Sequence, residues 1–349
     1  VADIALIQRF LPSASRGGVG YFTDGLARAL VGRGHMVTIF SQDPAPAGAP
    51  YAVVRVPVTA GRLAPIRFPW TLRRCDFSRF DVVHAQGDDQ WLPRLGLPPV
   101  VRTMHGTALA EAWVNGVLGL SPKRFLLHLW FFVSEWLAAL RAEALVGISA
   151  HTLRWYPGRG VVIPNGIDLS VLRPDPASKS RTPTVVFVGE VDSRKRGRLL
   201  IAAMRDVRRT LPTAQLWLVG PEIAPEDGCR SWGRVDDATL HRLLREAWVL
   251  CLPSAYEGFG RPYIEAMASG TTVVASPNAG AREVLRDGAL GVLADDASLA
   301  AVLTRVLQSP EERARLERAA LADVTRYDWS VVAAQYEAVY AQVIARARA

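Results

Sequence analysis

Residues 252–270 read LPSAYEGFGRPYIEAMASG, and the placement of their glycines, proline and glutamates decides the fold. The apolar run ending at Leu252 has the character of a buried strand, and Gly258 and Gly260 leave the next loop bare of side chains. Pro262 suits the first turn of a helix that starts near Arg261, and Gly270 suits its end. Strand, bare loop and helix in that order set free backbone N–H groups beyond the carboxyl end of a strand, a place that attracts phosphate. Glu257 and Glu265 cannot hold phosphate, because a carboxylate only accepts hydrogen bonds; hydroxyl groups suit them. A ligand with a polyol, a diphosphate and a second polyol is a nucleotide sugar, so one glutamate is expected at the sugar and the other at the ribose. In isolation, two solvated glutamates at a helix end would read the same way.

Outward from this stretch, the chain alternates strands and helices. Residues 4–10, 36–40, 81–84 and 99–103 read as strands, with a helix over about 20–32 closed by Gly34. Residues 163–183 break the pattern with Pro, Asn, Asp and Ser, as an interdomain connection does. The alternation restarts at TVVFVGE (184–190), with a helix over 197–209, strands at AQLWLVG (214–220) and WVLCLPS (248–254), and a helix after GRVDDATLHRLL (233–244) capped by Asp236 or Asp237. At the end, Val331, Val332, Tyr336, Val339 and Tyr340 recur at helical spacing, giving a helix with one buried face. With 349 residues, half of them apolar, two parallel-sheet domains are expected.

A formal net charge of +8 comes from arginines scattered through helices, and no zinc-finger spacing, aromatic-studded strand pair or basic tail accompanies it, so nucleic acid is not an expected partner. Cys75, Cys229 and Cys251 lie too far apart for a metal or disulfide framework and read as buried thiols. The longest apolar run, 125–133, is interrupted by His128 and too short to span a bilayer, and the first residues lack the pattern of a signal peptide. A cytoplasmic location is expected. Phe125, Leu129, Phe132, Trp136 and Leu140 recur at helical spacing behind Lys123 and Arg124. A core helix is the favoured reading, with peripheral membrane contact or an apolar acceptor site as the other two.

YEGFGRPYIEAMASGTTVVAS (256–276) resembles the E-x7-E segment of the family-4 retaining glycosyltransferases. In matching order, RGGVGYFTDGLARALVGRGHMVTIF (16–40) resembles the family's glycine-rich first loop, helix and second strand, and DVVHAQG (81–87) and VVRTMHG (100–106) resemble two later strand ends. VIPNGID (162–168) resembles the hinge, FVGEVDSRKRG (187–197) the basic donor loop, and AGAREVLRDGALGVL (279–293) the segment after the E-x7-E helix. The resemblance implies the GT-B fold: two Rossmann-like, doubly wound α/β domains facing across a cleft. Residues 1–165 would form the acceptor-side domain, 166–183 the linker, 184–326 the donor domain, and 327–349 a helix crossing back to the first.

It also implies roles. Glu257 would bind the donor sugar, Glu265 the ribose, and the backbone of Gly258, Phe259 and Gly260 the diphosphate, approached from the first domain by Gly17 and Gly18. His105 would lie near the reacting sugar, and Lys195, helped by Arg194 or Arg196, would neutralise the departing diphosphate. His84 would pack or hydrogen-bond; Gly233 and Arg234 would lie near the nucleobase, and Glu283 would be a further donor-site residue. The two acids of GDD (87–89) lack a third ligand, and neither a metal nor another cofactor is expected. One departure stands out: the family has Arg after the glycine of its donor strand, where this chain has Gly189-Glu190, so Arg194 or Arg261 would have to compensate. The expected reaction is retaining transfer of a sugar from a nucleotide sugar to a hydroxyl of a small metabolite, lipid or glycan. A noncatalytic sugar-nucleotide binder and a sugar-nucleotide epimerase are the alternatives. The glycines of GGVGYFTDG (17–25) also prompt a nicotinamide oxidoreductase, but they lie too far past the first strand, and Thr23 stands where that fingerprint needs glycine.

Overall fold

The computed structural model describes residues 1–12, 18–58, 61, 64–92, 96–114, 122–220, 222, 224 and 226–349, and the chain divides into two units, Val1–Gly166 with Trp329–Ala349, and Ile167–Asp328. In the first unit the strands are β1 (Asp3–Ile7), β2 (Met36–Ser41), β3 (Ala52–Arg55), β4 (Val82–Ala85), β5 (Val100–Met104), β6 (Ala144–Gly147) and β7 (Gly160–Val162). They pair in parallel in the order β3-β2-β1-β4-β5-β6-β7. Helices α1 (Val19–Gly32), α2 (Ala64–Leu72), α3 (Ala108–Val114), α4 (Pro122–Arg141) and α5 (Ala150–Leu153) lie between them.

The second unit has β8 (Thr184–Val188), β9 (Gln215–Val219), β10 (Cys229–Gly233), β11 (Val249–Leu252), β12 (Thr272–Ala275) and β13 (Val292–Leu293), parallel in the order β10-β9-β8-β11-β12-β13. Helices α6 (Gly197–Thr210), α7 (Asp237–Glu246), α8 (Arg261–Ala268), α9 (Ala279–Val284), α10 (Leu299–Gln308) and α11 (Pro310–Val324) complete it. The strands β4, β11 and β12 are buried at every residue, as parallel strands covered on both faces must be, which is why they are apolar but for His84 and Thr272.

The last helix, α12 (Trp329–Arg348), returns to the first unit and shares a core with α1: Val332, Tyr336, Val339 and Tyr340 pack with Phe22, Leu26 and Leu30. Val331 is the exception to the expected buried face, being exposed, because it falls one residue off the 3.6-residue stripe. Tyr340 and Tyr336 carry hydroxyls into the core, where the first meets His84 Nδ1 at 2.6 Å and the second Thr103 at 3.0 Å. His84 thus has the hydrogen-bonding role read from sequence. Residues 167–183 lie on the second unit, where Lys179 Nζ donates to the carbonyls of Ala247 and Gly270 at 2.7 and 2.8 Å.

Two expectations need correction. Only Cys251 is a buried thiol; Cys75 and Cys229 are partly exposed, since each sits at an edge of its unit's packing and not in a central strand. And α4 does not turn its apolar residues inward. Phe125, Leu129, Trp136 and Leu140 are exposed and Phe132 is only partly covered, while the buried side carries the small residues Ser134, Ala138 and Ala139, the last packed with Met104 and Leu145 of the sheet.

Candidate active site

In the second sheet, connections run from β8 to one side through β9 and β10, and to the other through β11, β12 and β13. The order therefore switches between β8 and β11, and ligands of open α/β sheets bind beyond the carboxyl ends of the strands at such a point. The loop after β8 carries Arg194, Lys195 and Arg196; the loop after β11 carries residues 253–260. The Ala255 N–H donates to the Arg194 carbonyl at 2.8 Å, which fastens the two loops together.

Glu257 is buried between them. Its Oε2 lies 2.9 Å from the Arg194 guanidinium, and its Oε1 accepts from the Ser254 hydroxyl at 3.0 Å and stands 4.0 Å from Lys195 Nζ. Arg194 also donates to the Tyr256 carbonyl. Lys195 donates to the Val188 carbonyl at 2.9 Å, and its stem lies so close over Gly189 that a Cβ there would meet Lys195 Cδ at 2.3 Å. Burial pulls the Lys195 pKa below the ordinary lysine value; the carboxylates of Glu257 and Glu265 act the other way, and Arg194 adds to the lowering.

The helix α8 begins at Gly260, whose φ of 92° is left-handed and whose missing Cβ leaves room for the Tyr263 ring, 2.3 Å from where that atom would stand. Phe259 is buried edge-on against Tyr327, with ring centroids 5.8 Å apart. Arg261 reaches one turn along the helix to Glu265 at 2.7 Å, and Glu265 is buried.

The structure thus brings together Glu257, Arg194 and Lys195, with Gly258, Phe259 and Gly260 in the same loop and the Arg261–Glu265 pair on the helix that follows. Gly233 ends β10 with φ 63°, and Arg234 approaches Glu190 at 3.9 Å, both side chains being exposed. The cation that meets Glu190 is therefore Arg234; Arg194 and Arg261, the two expected to compensate, are engaged with Glu257 and Glu265. Arg196 has a structural task, donating to the Pro253 carbonyl at 2.6 Å, Ser276 at 2.9 Å and Asp296 at 2.8 Å. Glu283 is partly buried on α9.

In the first unit, Gly17 lies outside the described residues and Gly18 is the exposed N-cap of α1. His105 follows β5, with Nε2 2.8 Å from Gln86 Oε1 and its ring 4.8 Å from that of Phe22. An amide oxygen only accepts, so Nε2 carries the proton and Nδ1 keeps its lone pair. Burial, reinforced by Arg102, pushes the His105 pKa down to about 3, so the ring is neutral at pH 7. Asp89 pairs with buried Arg102, and among the described residues no group of three or more His, Cys, Asp or Glu is placed to share a metal ion.

Sequence reasoning missed Ser254, which holds Glu257, and Gly280. Asn278 caps α9 and anchors it by donating to the Ser254 carbonyl at 3.0 Å. A Cβ on Gly280 would stand 2.5 Å from the Glu257 carbonyl oxygen and 2.9 Å from that of Phe259. A glycine just inside a capped helix, where a helix former would ordinarily stand, was the available signal.

Solved structures place this architecture in a class. Sucrose-phosphate synthase from Thermosynechococcus elongatus superposes with a TM-score of 0.82 at 24% identity, covering 99% of each chain. Anabaena HepE, solved with UDP and glucose, gives 0.77 at 18%, covering 98% of this chain and all of its own. The two parallel α/β units are those of the GT-B glycosyltransferase fold. Family models narrow the class: Glycosyltransferase Family 4 matches residues 16–171, and Glycosyl transferases group 1 matches 170–323. Phosphatidyl-myo-inositol mannosyltransferase of Mycobacterium leprae is 32% identical over 94% of this chain and 93% of its own length, and glycogen synthase of Mycobacterium tuberculosis is 31% identical over 97% and 94%. The chain belongs to the family-4 glycosyltransferases and is a glycosyltransferase.

Proposed function

We propose that the enzyme is a retaining, metal-independent hexosyltransferase that takes its sugar from a nucleotide sugar and places it on an acceptor hydroxyl. The observation that carries this reading is the meeting of Lys195, Arg194 and Glu257 beyond β8 and β11, beside the N-terminus of α8. The diphosphate sits on the N–H groups of Gly258, Phe259 and Gly260, with the ammonium of Lys195 and the guanidinium of Arg194 beside it. Glu257 accepts from the sugar hydroxyls and Glu265 from the ribose, and Gly233 and Arg234 lie toward the base. HepE, with UDP-glucose in one of its crystal structures, supports a nucleotide-sugar donor, and the mannosyltransferase and glycogen synthase relatives support a hexose.

The bond from the anomeric carbon to the diphosphate oxygen breaks while the acceptor oxygen bonds to the same carbon on the same face. The acceptor's proton passes to the departing oxygen, and Lys195 stabilises the charge that develops there. Neutral His105 serves as a hydrogen-bonding contact to sugar or acceptor. The chain supplies position and electrostatics, and no covalent nucleophile is used.

The test is to incubate the protein with nucleotide sugars and candidate acceptors, with chelator present, and to assign the anomeric configuration of the product by NMR. Retention is expected. Inversion, loss of turnover with chelator, or release of a free epimerised nucleotide sugar would each contradict the reading.

A further inference from the structure

The helix α4, 20 residues and about 30 Å long, presents its apolar side outward. Leu126, Leu129, Val133, Trp136, Leu137 and Leu140 recur every three or four residues and are all exposed, Leu126 by 61% and Leu140 by 53%. A helix that serves only its own core carries the opposite pattern. Beside it on α3, Trp113 is exposed by 74%. An apolar stripe of this length edged by tryptophan exceeds the scattered exposure usual on soluble surfaces.

Charge identifies what covers it. The one carboxylate described on α4, Glu135, turns inward, accepting from the Tyr156 hydroxyl at 2.9 Å. Exposed cations stand at the two ends, Lys123 at the first turn and Arg141 at the last. A second copy of the same stripe would set cation against cation whether the two helices ran parallel or antiparallel, so self-association is disfavoured. An anionic bilayer satisfies both features, since leucine and tryptophan enter the interface while lysine and arginine meet lipid phosphates. We propose that α4 docks the enzyme on the surface of an anionic membrane, lying in the interfacial plane. Among the described residues no helix is long and apolar enough to cross a membrane, so the contact is peripheral. The inference rests on the first unit alone and is independent of the reading of the donor site.

The test is co-flotation of the whole chain with vesicles of phosphatidylcholine, with and without phosphatidylglycerol. Wild type should float with the anionic vesicles, and L126Q/L137Q/L140Q should lose binding by about tenfold or more. The substituted positions are exposed, so the melting curve should be unchanged. The pair Lys123→Glu and Arg141→Glu should lose the preference for anionic over zwitterionic vesicles. In unsubstituted protein, brominated lipid should quench a part of the tryptophan emission that Trp136→Phe removes. Absence of flotation, flotation of the triple variant equal to wild type, or a wild-type dimer that the triple variant converts to monomer without any vesicle binding would overturn the proposal. Donor binding is measured separately from flotation, so failure of one reading leaves the other standing or falling on its own result.

Discussion

Lys195 is where burial and function pull in opposite directions. Its side chain is only 17% exposed, and desolvation lowers its pKa below the ordinary 10.5, while Glu257 at 4.0 Å and the more distant Glu265 hold the proton on. On raising the pH, Lys195 discharges before an ordinary lysine does, and with it goes the charge proposed to compensate a departing diphosphate. The ratio kcat/KM, which reports the free enzyme, should therefore fall on an alkaline limb below pH 10.5, and Lys195→Arg, which keeps its charge, should shift that limb upward even if the maximal rate drops. Identical limbs in the two proteins would contradict the assignment. Glu190 shows the same competition resolved differently. Placed where it would oppose an anion, it is 75% exposed and faces Arg234, so solvent and a neighbouring cation both screen it.

At the scale of elements, the site depends on three strand ends held in register. The loop after β11 is fastened to the loop after β8 through the Arg194 carbonyl and Arg196, and it is supported from beneath by α9, where Gly280 lets the helix approach the Glu257 and Phe259 carbonyls. Gly280→Ala should push that loop away. The expected result is a donor affinity lowered by about tenfold or more together with a loss of stability of roughly 1–2 kcal/mol, read by calorimetry and urea unfolding; unchanged affinity would show that α9 does not set the loop. Much of this arrangement was legible in the sequence. Gly258, Gly260 and Pro262 announced the turn from β11 into α8, and buried runs at 184–188 and 249–252 announced the strands that deliver it. What was not legible was three-dimensional. Nothing in the order of residues says that Arg194 meets Glu257, 63 positions away. The Arg261–Glu265 pair, four residues apart on a helix expected from sequence, was open to such a reading and was not drawn. The outward face of α4 was misread because periodicity shows that a helix has an apolar side without showing what it faces.

At the scale of the whole molecule, two buried histidines of the first unit couple stability to acid. His84 and His105 are both held neutral, chiefly by burial, with pKa values of about 3 against an ordinary 6.5. Below pH 6.5 the unfolded chain takes up protons at these sites and the folded one does not, so stability should be lost as the pH falls from 6.5 toward 3, by about 2 kcal/mol per histidine near pH 5. Denaturation midpoints against pH, compared between wild type and His105→Asn, should show the shallower fall in the variant; equal slopes would contradict it. The claim on which the rest depends is that the second unit holds a nucleotide sugar between Lys195 and the α8 helix. The most direct measurement is the shift in melting temperature with nucleoside diphosphates and nucleotide sugars, for wild type and for Glu265→Ala, since a ligand that binds the folded state raises that temperature by mass action. Stabilisation by one nucleotide family, weakened in the variant, is the predicted result. No stabilisation by any nucleotide, or equal stabilisation of both proteins, would contradict the account.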